Sequence, residues 1–237
     1  MAACEDTDYK VYDTTQKDSV FFEYYNAREQ RDTLVAYNYG FDIADHHEVV
    51  LPVTLMGMPK DYDRAIAVKA LADSTDMVEG VHYEITEARI PAGAIEGVVR
   101  VNLLRNNDPQ LLEKELKLRL IIDENDDLRS VQGSFMKITH SDIRPDQRPD
   151  WWIYLYGRWP VYSYETAQLY FEYFYRLAPE ANINIFNEII EAYGDYHVKG
   201  QSTVGPWVIY ENFLRNYVMI PLYNEHPEIE WLADPNW

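Results

Sequence analysis

Between Leu116 and Ile122 large aliphatic residues fall at every second position: Leu116, Leu118, Leu120 and Ile122 alternate with Lys117 and Arg119. A helix would scatter these side chains around its circumference. A strand sends successive side chains to opposite faces, so the segment reads as a strand with one dry face and one wet face. The same period recurs. Val99, Val101 and Leu103 alternate with Arg100 and Asn102, and Val49, Leu51, Val53 and Leu55 share one face, although Pro52 moves that segment toward a sheet edge or a bulge. Val20, Phe22 and Tyr24 form a further strand, and Ile66, Val68 and Ala70 another. Weaker alternation runs through Leu34–Tyr39, His82–Arg89 and Phe135–Thr139. Turn chemistry separates these runs at Gly57-Met58-Pro59, Pro91-Ala92-Gly93 and Asn106-Asn107-Asp108-Pro109. Seven or eight short strands with frequent turns predict an antiparallel, immunoglobulin-like β-sandwich over residues 19–140.

The pattern changes near residue 140. Residues 141–150 carry Pro145, Pro149 and alternating charges and read as a linker. All six tryptophans and twelve of the twenty tyrosines lie beyond it. Helical spacing replaces alternation there. Ser163 is placed to cap a helix bearing Ala167, Tyr170, Phe171, Phe174 and Leu177 on one stripe. Asn182 caps a second, with Ile183, Phe186, Ile189, Ile190 and Tyr193 inward and Gly194 as its stop. Pro206 suits the first turn of a third, with Trp207, Tyr210, Leu214 and Tyr217 inward before Pro221 ends it. The expected organisation is a tether at 1–18, a sandwich at 19–140, a linker at 141–150 and an aromatic-rich helical region at 151–237. The last is expected to pack on the sandwich, because three short helices alone make a thin core. The fold class is mainly β with α.

Charge narrows the chemistry. With 21 basic against 40 acidic side chains the formal net charge is -19, which disfavours binding to phosphate backbones. Cys4 is the single cysteine, so an internal disulfide and multi-thiolate zinc sites are excluded. Its setting, Ala2-Ala3-Cys4 followed by Glu5, Asp6 and Asp8, looks like the end of a lipobox. Small residues there precede a cysteine that is acylated once an apolar leader is removed, and Met1 would then be added or substituted. Two or more acyl chains hold a protein on a membrane where one is marginal. The competing reading is an ordinary start methionine followed by a disordered cytosolic terminus. No apolar run reaches the length of a membrane span.

Catalytic signatures are missing from the sequence: there is no His-Glu-x-x-His, no phosphate-cradling loop and no Gly-x-Ser-x-Gly elbow. Paired carboxylates carry no information among forty acidic residues. His46-His47-Glu48 reads as a solvated turn rather than a metal site, since neighbours in a strand point apart. Asp123, Asn125 and Asp127 match the first, third and fifth ligands of a calcium loop. Leu128 stands where glycine belongs and Ser134 where a bidentate glutamate belongs, leaving a looser oxygen site or a solvated turn. No metal and no cofactor is assigned. In the aromatic run that follows, alternation sends Trp152, Tyr154 and Tyr156 to one side and Trp151, Ile153 and Leu155 to the other, with Trp159 close behind. Core packing is one reading of this run. The other is that Trp151, Trp152, Tyr154, Tyr156 and Trp159 offer flat rings to a partner or small ligand.

Several stretches together resemble a domain-of-unknown-function family of Bacteroidota surface lipoproteins. They are Leu51-Pro52-Val53-Thr54-Leu55-Met56-Gly57 with Asp63-Arg64 following, Glu79-Gly80-Val81-His82-Tyr83-Glu84-Ile85, Ile90-Pro91-Ala92-Gly93, and Val99–Arg105. The likeness covers roughly residues 18–125. Gly80-Val81-His82-Tyr83 before a Pro-Ala-Gly turn is also similar to the Calx-beta type of sandwich. The resemblance implies an acylated Cys4 and an outer-membrane location facing the cell exterior. It also implies a place beside SusC/SusD-like importers and an accessory role in nutrient uptake, with peptide or glycan as ligand. It brings no catalytic residues, and His82 and Tyr83 read as turn and core residues. The expected protein is therefore not an enzyme. An envelope hydrolase or peptidase acting on imported material, and a structural envelope protein, are the alternatives.

Overall fold

A computed structural model describes residues 16–26, 28–153, 159–198 and 207–236, with 150, 153 and 207–209 described by backbone alone. The chain divides into two compact units. One comprises Met1–Tyr37, His46–Asp108 and Glu115–His140; the other comprises Asn38–Asp45, Pro109–Lys114 and Ser141–Trp237. Cys4, Tyr154, Tyr156 and Pro206 lie outside the described residues.

The first unit contains two β-sheets. β1 (Asp18–Phe22), β3 (His46–Met56), β4 (Arg64–Ala65), β6 (Tyr83–Ile90), β7 (Glu96–Leu104) and β9 (Leu128–Ser130) form one, in the order β4-β6-β7-β3-β1-β9. β2 (Leu34–Asn38), β5 (Val68–Ala70), β8 (Leu116–Ile122) and β10 (Phe135–Ser141) form the other, in the order β2-β10-β8-β5. The strand pairings with a defined register are antiparallel, except that β1 runs parallel to β9. The aliphatic faces read from the sequence are the buried ones: Val49, Leu51, Val53 and Leu55 on β3, Val99, Val101 and Leu103 on β7, and Leu116, Leu118, Leu120 and Ile122 on β8. Burial of each such side chain contributes roughly 1.5–3 kcal/mol, so these three strands carry much of the sandwich core.

Three expectations need correction. Pro52 sits in a strand paired on both sides, not at an edge. It is tolerated because a residue's N–H and C=O point the same way along a strand. The Glu23 N–H donates to the Pro52 carbonyl (2.9 Å) one residue past the end of β1. The missing donor therefore falls at the last rung. The segment Ile66–Ala70 is not one strand. The Ile66 N–H bonds the Ala88 carbonyl in the first sheet and the Ala67 carbonyl accepts from Asp123 in the second, so the chain changes sheets here. Finally, His46-His47-Glu48 opens β3 rather than forming a turn.

The family-like stretches have identifiable structural duties. Pro91-Ala92-Gly93-Ala94 is a turn closed by Ala94 N–H on the Pro91 carbonyl (3.1 Å), and Gly93 takes φ +76, which a glycine adopts freely. Asp63 accepts the Ala92 N–H (2.8 Å) at that turn. The next residue, Arg64, is buried and donates to Asp18 (2.8 Å). Buried His82 accepts the Val78 N–H at Nδ1 (2.8 Å) and places Nε2 2.9 Å from Asp108, tying two loops together.

The second unit is helical: α1 (Tyr164–Ala181), α2 (Ile183–Tyr193), α3 (Trp207–Leu214) and α4 (Ile220–Glu225). Ser163 caps α1 in a reciprocal box, accepting the Thr166 N–H (3.1 Å) while its own N–H donates to Thr166 Oγ1 (2.8 Å). Asn182 caps α2 through the N–H groups of Asn184 and Ile185, and Gly194 ends it. Pro221 does not stop the third helix. A π-helical stretch, Arg215–Met219, widens the backbone just before it, and Pro221 then occupies the first turn of α4, where no intrahelical N–H is needed. That extra residue also rotates the stripe: Tyr210 and Leu214 are buried, but Tyr217 is 49% exposed. Ile183, in the opening turn of α2, is exposed as well.

Candidate functional site

Of the aromatic run, residues 154–158 lie outside the described residues. Trp151 and Trp152 lie on a 3-10 turn, Asp150–Ile153. They are 6% and 1% exposed, and Trp159 is 1% exposed. Ala167, Tyr170, Phe171 and Phe174, the inward stripe of α1, pack with them in one cluster. Ring centroids are 4.8 Å apart for Trp152 and Trp159, 4.6 Å for Trp159 and Tyr170, and 5.5 Å for Trp151 and Phe171. Tilted and edge-on pairs of this kind contribute roughly 0.5–1.5 kcal/mol each beyond the area they bury. The three tryptophans are thus core members whose ring faces are covered. An indole serves as well inside as outside, so sequence alone left both readings open.

At the centre of this cluster sits His197. It follows Tyr196, and both residues take left-handed backbone angles, φ +50 and +54. Its Nε2 shares a hydrogen bond with the Tyr170 hydroxyl (3.0 Å), and the Trp151 ring lies 5.0 Å away, edge-on. Burial alone pushes its pKa down to about 3, so the ring is neutral. Burial likewise holds the Tyr170 phenol well above its ordinary value. Both groups are buried and are held together by this hydrogen bond. No spacing rule marked His197 in the sequence.

The cluster is open on one flank. Arg148, Trp152, Trp159, Pro160, Val161, Tyr162 and Leu232 line a hollow of about 410 Å³. Its walls are positioned by the chain's last stretch, which runs beside 159–161. The Val161 N–H donates to the Glu230 carbonyl (2.7 Å), and the Leu232 N–H donates to the Trp159 carbonyl (3.1 Å). The Trp152 indole N–H is spent on the Pro160 carbonyl (3.0 Å), and the Tyr162 hydroxyl on the Pro145 carbonyl (2.8 Å). What remains for a ligand is apolar surface with the exposed Arg148 and Leu232 among its lining residues. The lining residues include no carboxylate or imidazole. Such a site can hold a ring or an aliphatic side chain and orient it by one cation. Of the aromatic residues singled out from the sequence, Trp152 and Trp159 reach this hollow and Trp151 does not, while Tyr154 and Tyr156 lie outside the described residues.

The other candidates are accounted for locally. His47 stacks on Tyr37 (3.5 Å between ring centroids), and Glu48 pairs with Arg100 (2.6 Å). In the acidic loop, Asp123 pairs with Lys69 (2.9 Å). Asn125 accepts the Asp127 and Leu128 N–H groups and donates to the Ala65 carbonyl, and Asp127 accepts the Tyr62 hydroxyl (3.1 Å). Among the described residues no three histidine, cysteine, aspartate or glutamate side chains converge as a metal site. Among them, too, no helix is long and apolar enough to cross a membrane.

These features define a β-sandwich protein with an aromatic-rich helical unit that follows it in sequence. The chain belongs to the family described as domain of unknown function DUF4843, whose model matches residues 12–174. The match runs through the whole sandwich and into α1, farther than the residues that first suggested such a family. No curated protein sequence matches the chain. Solved structures with partial likeness include a putative carbohydrate binding protein from Bacteroides ovatus (12% identity, 53% of this chain and 37% of that one, TM-score 0.33). A multidomain protein including DUF1735, also from Bacteroides ovatus, is 17% identical over 55% of this chain and 46% of that one, with a TM-score of 0.36. The E. coli chaperone DraB is 17% identical over 48% of this chain and 52% of that one, with a TM-score of 0.28. The aligned part thus spans only about a third to a half of each of these proteins.

Proposed function

We propose that this chain is a non-enzymatic, cell-surface lipoprotein, anchored in the outer membrane through Cys4. In this reading it serves as an accessory component of a SusC/SusD-like uptake complex for peptide or glycan. The observation that carries the binding reading is the hollow edged by Trp152, Trp159, Tyr162 and Leu232, with Arg148 as the one charged lining residue among the described residues. It offers recognition without an acid, a base or a nucleophile in position. Small residues before Cys4 and acidic ones after it support the anchor, and membership of a domain-of-unknown-function family agrees with the sequence resemblance.

Two measurements test this. Cells fed a clickable fatty acid should label the wild-type protein and not the Cys4→Ser variant, and protease added outside should degrade it. The native importer, solubilised in detergent, should carry the protein with it. Ligand binding is tested through tryptophan fluorescence with peptide and oligosaccharide pools. Arg148→Ala and Leu232→Ser, both at exposed positions, should weaken the response without lowering the melting temperature. An unacylated protein in the cytosol would overturn the location. Failure to co-purify together with failure to bind any pool would overturn the role.

A further inference from the structure

In so acidic a chain, cations without acidic partners stand out. Lys117 and Arg119 project from the wet face of β8, and Lys137 from the wet face of β10. The register places Lys137 directly opposite Arg119, and Thr139 opposite Lys117. None of the three cations has an ion-pair partner among the described residues. Like charges facing each other across two strands destabilise a sheet, and none of the three cations is in an ion pair that would offset this.

A wall rises beside them. After β5 the chain turns through Ala72–Ser74 and runs along β8. The Leu71 N–H donates to the Arg119 carbonyl (2.9 Å), the Asp76 N–H to the Lys117 carbonyl (2.7 Å), and the Arg119 N–H to Thr75 Oγ1 (3.1 Å). Between wall and sheet lies a cleft of about 550 Å³, lined by Asp73, Ser74, Asp76, Lys117, Arg119 and Lys137 among others. Arg119 is held in place by the Phe135 ring, 4.2 Å below its guanidinium. Thr139, 9% exposed, also lines the cleft, and its hydroxyl and the Arg119 Nε are buried polar atoms without a hydrogen-bond partner.

We propose that this cleft binds an acidic saccharide. Its carboxylate or sulfate is held by Lys117, Arg119 and Lys137, and its ring hydroxyls by Asp73, Asp76 and Ser74. The three cations supply charge-assisted donors for the anion, and the two rim carboxylates accept hydroxyls while repelling a bare polyanion. This site is built entirely from the sandwich unit and is independent of the aromatic hollow.

Calorimetry on the full chain tests it with four probes: an oligogalacturonate, a sulfated heparin oligosaccharide, a neutral malto-oligosaccharide and an oligodeoxynucleotide. One or both acidic saccharides should bind, more weakly as salt rises, and which of them binds separates carboxylate from sulfate recognition. Lys117→Gln and Lys137→Gln should each weaken binding about tenfold, while Lys60→Gln, outside the cleft, should leave it unchanged. If a glutamine variant melts early, the charge-conserving Lys137→Arg should still bind. Binding of neither acidic saccharide, equal binding of the oligonucleotide, or binding that survives both glutamine variants would overturn the proposal.

Discussion

Acid should weaken the helical unit through His197. Its folded pKa is about 3 against an ordinary value of 6.5, because burial penalises the charged ring. The rings around it, Trp151, Tyr170, Phe171, Phe174 and Tyr193, offer no counter-charge. Above pH 6.5 the ring is neutral in both states and adds no pH dependence. Below it the unfolded chain takes up a proton that the folded chain refuses, so stability falls as pH falls, by about 1.4 kcal/mol per unit, until pH about 3. Between pH 7 and pH 5 the loss is about 2 kcal/mol. Glu165, Glu225 and Glu228 have carboxyls held below their ordinary values by hydrogen bonds, so they titrate beneath this window. Urea titrations at pH 7, 6 and 5, followed by tryptophan fluorescence, report on this unit alone, since every tryptophan lies in it. The informative variant is His197→Asn. Asparagine tolerates the left-handed backbone and can still bond the Tyr170 hydroxyl, but it cannot titrate. It should be less stable at every pH and lose most of the slope. Equal slopes in wild type and variant would refute the reasoning.

Three further outcomes are expected. Ser163→Ala removes the α1 cap and should cost about 1 kcal/mol in the same urea assay. Asp18→Ala strands the buried Arg64 guanidinium, and should destabilise the sandwich by about 3–5 kcal/mol, read as a shift of its far-ultraviolet circular dichroism transition. Gly97→Ala would put a methyl carbon 2.4 Å from the Arg89 carbonyl oxygen on the neighbouring strand. It should disrupt the β6–β7 pairing, seen as accelerated amide exchange confined to those two strands.

Much of the sandwich was legible because its long strands keep one dry face. The alternation in β3, β7 and β8 is a local record of burial, and no knowledge of partners was needed to read it. The strands that escaped, β4 and β9, are two and three residues long, too short for any period to register. The sheet change at Ile66–Ala70 was hidden for a related reason. Both halves bury alternate residues, and only their hydrogen-bond partners, Ala88 and Asp123, differ. Pro221 misled because a π-helical stretch precedes it, and nothing in Arg215–Met219 announces that stretch.

The binding surfaces were less legible than the fold, for a reason the two clefts make concrete. In the aromatic run the residue types were conspicuous but their exposure was not. Trp152 and Trp159 present only part of their surface to the hollow, and the residues that open it, Arg148 and Leu232, lie four residues before Trp152 and far beyond Trp159. In the sandwich the opposite held. Lys117 and Arg119 were plainly wet, yet a wet lysine on a strand is ordinary. They become a site only when the β8–β10 register sets Lys137 against Arg119 and the Ala72–Asp76 segment walls the face off. Both facts are non-local: pairing register and loop course depend on residues tens of positions away. Chemistry in this chain is therefore a property of juxtaposition, and substitutions that slip the register of β10 by one residue should abolish the cation cluster while leaving every lysine in place.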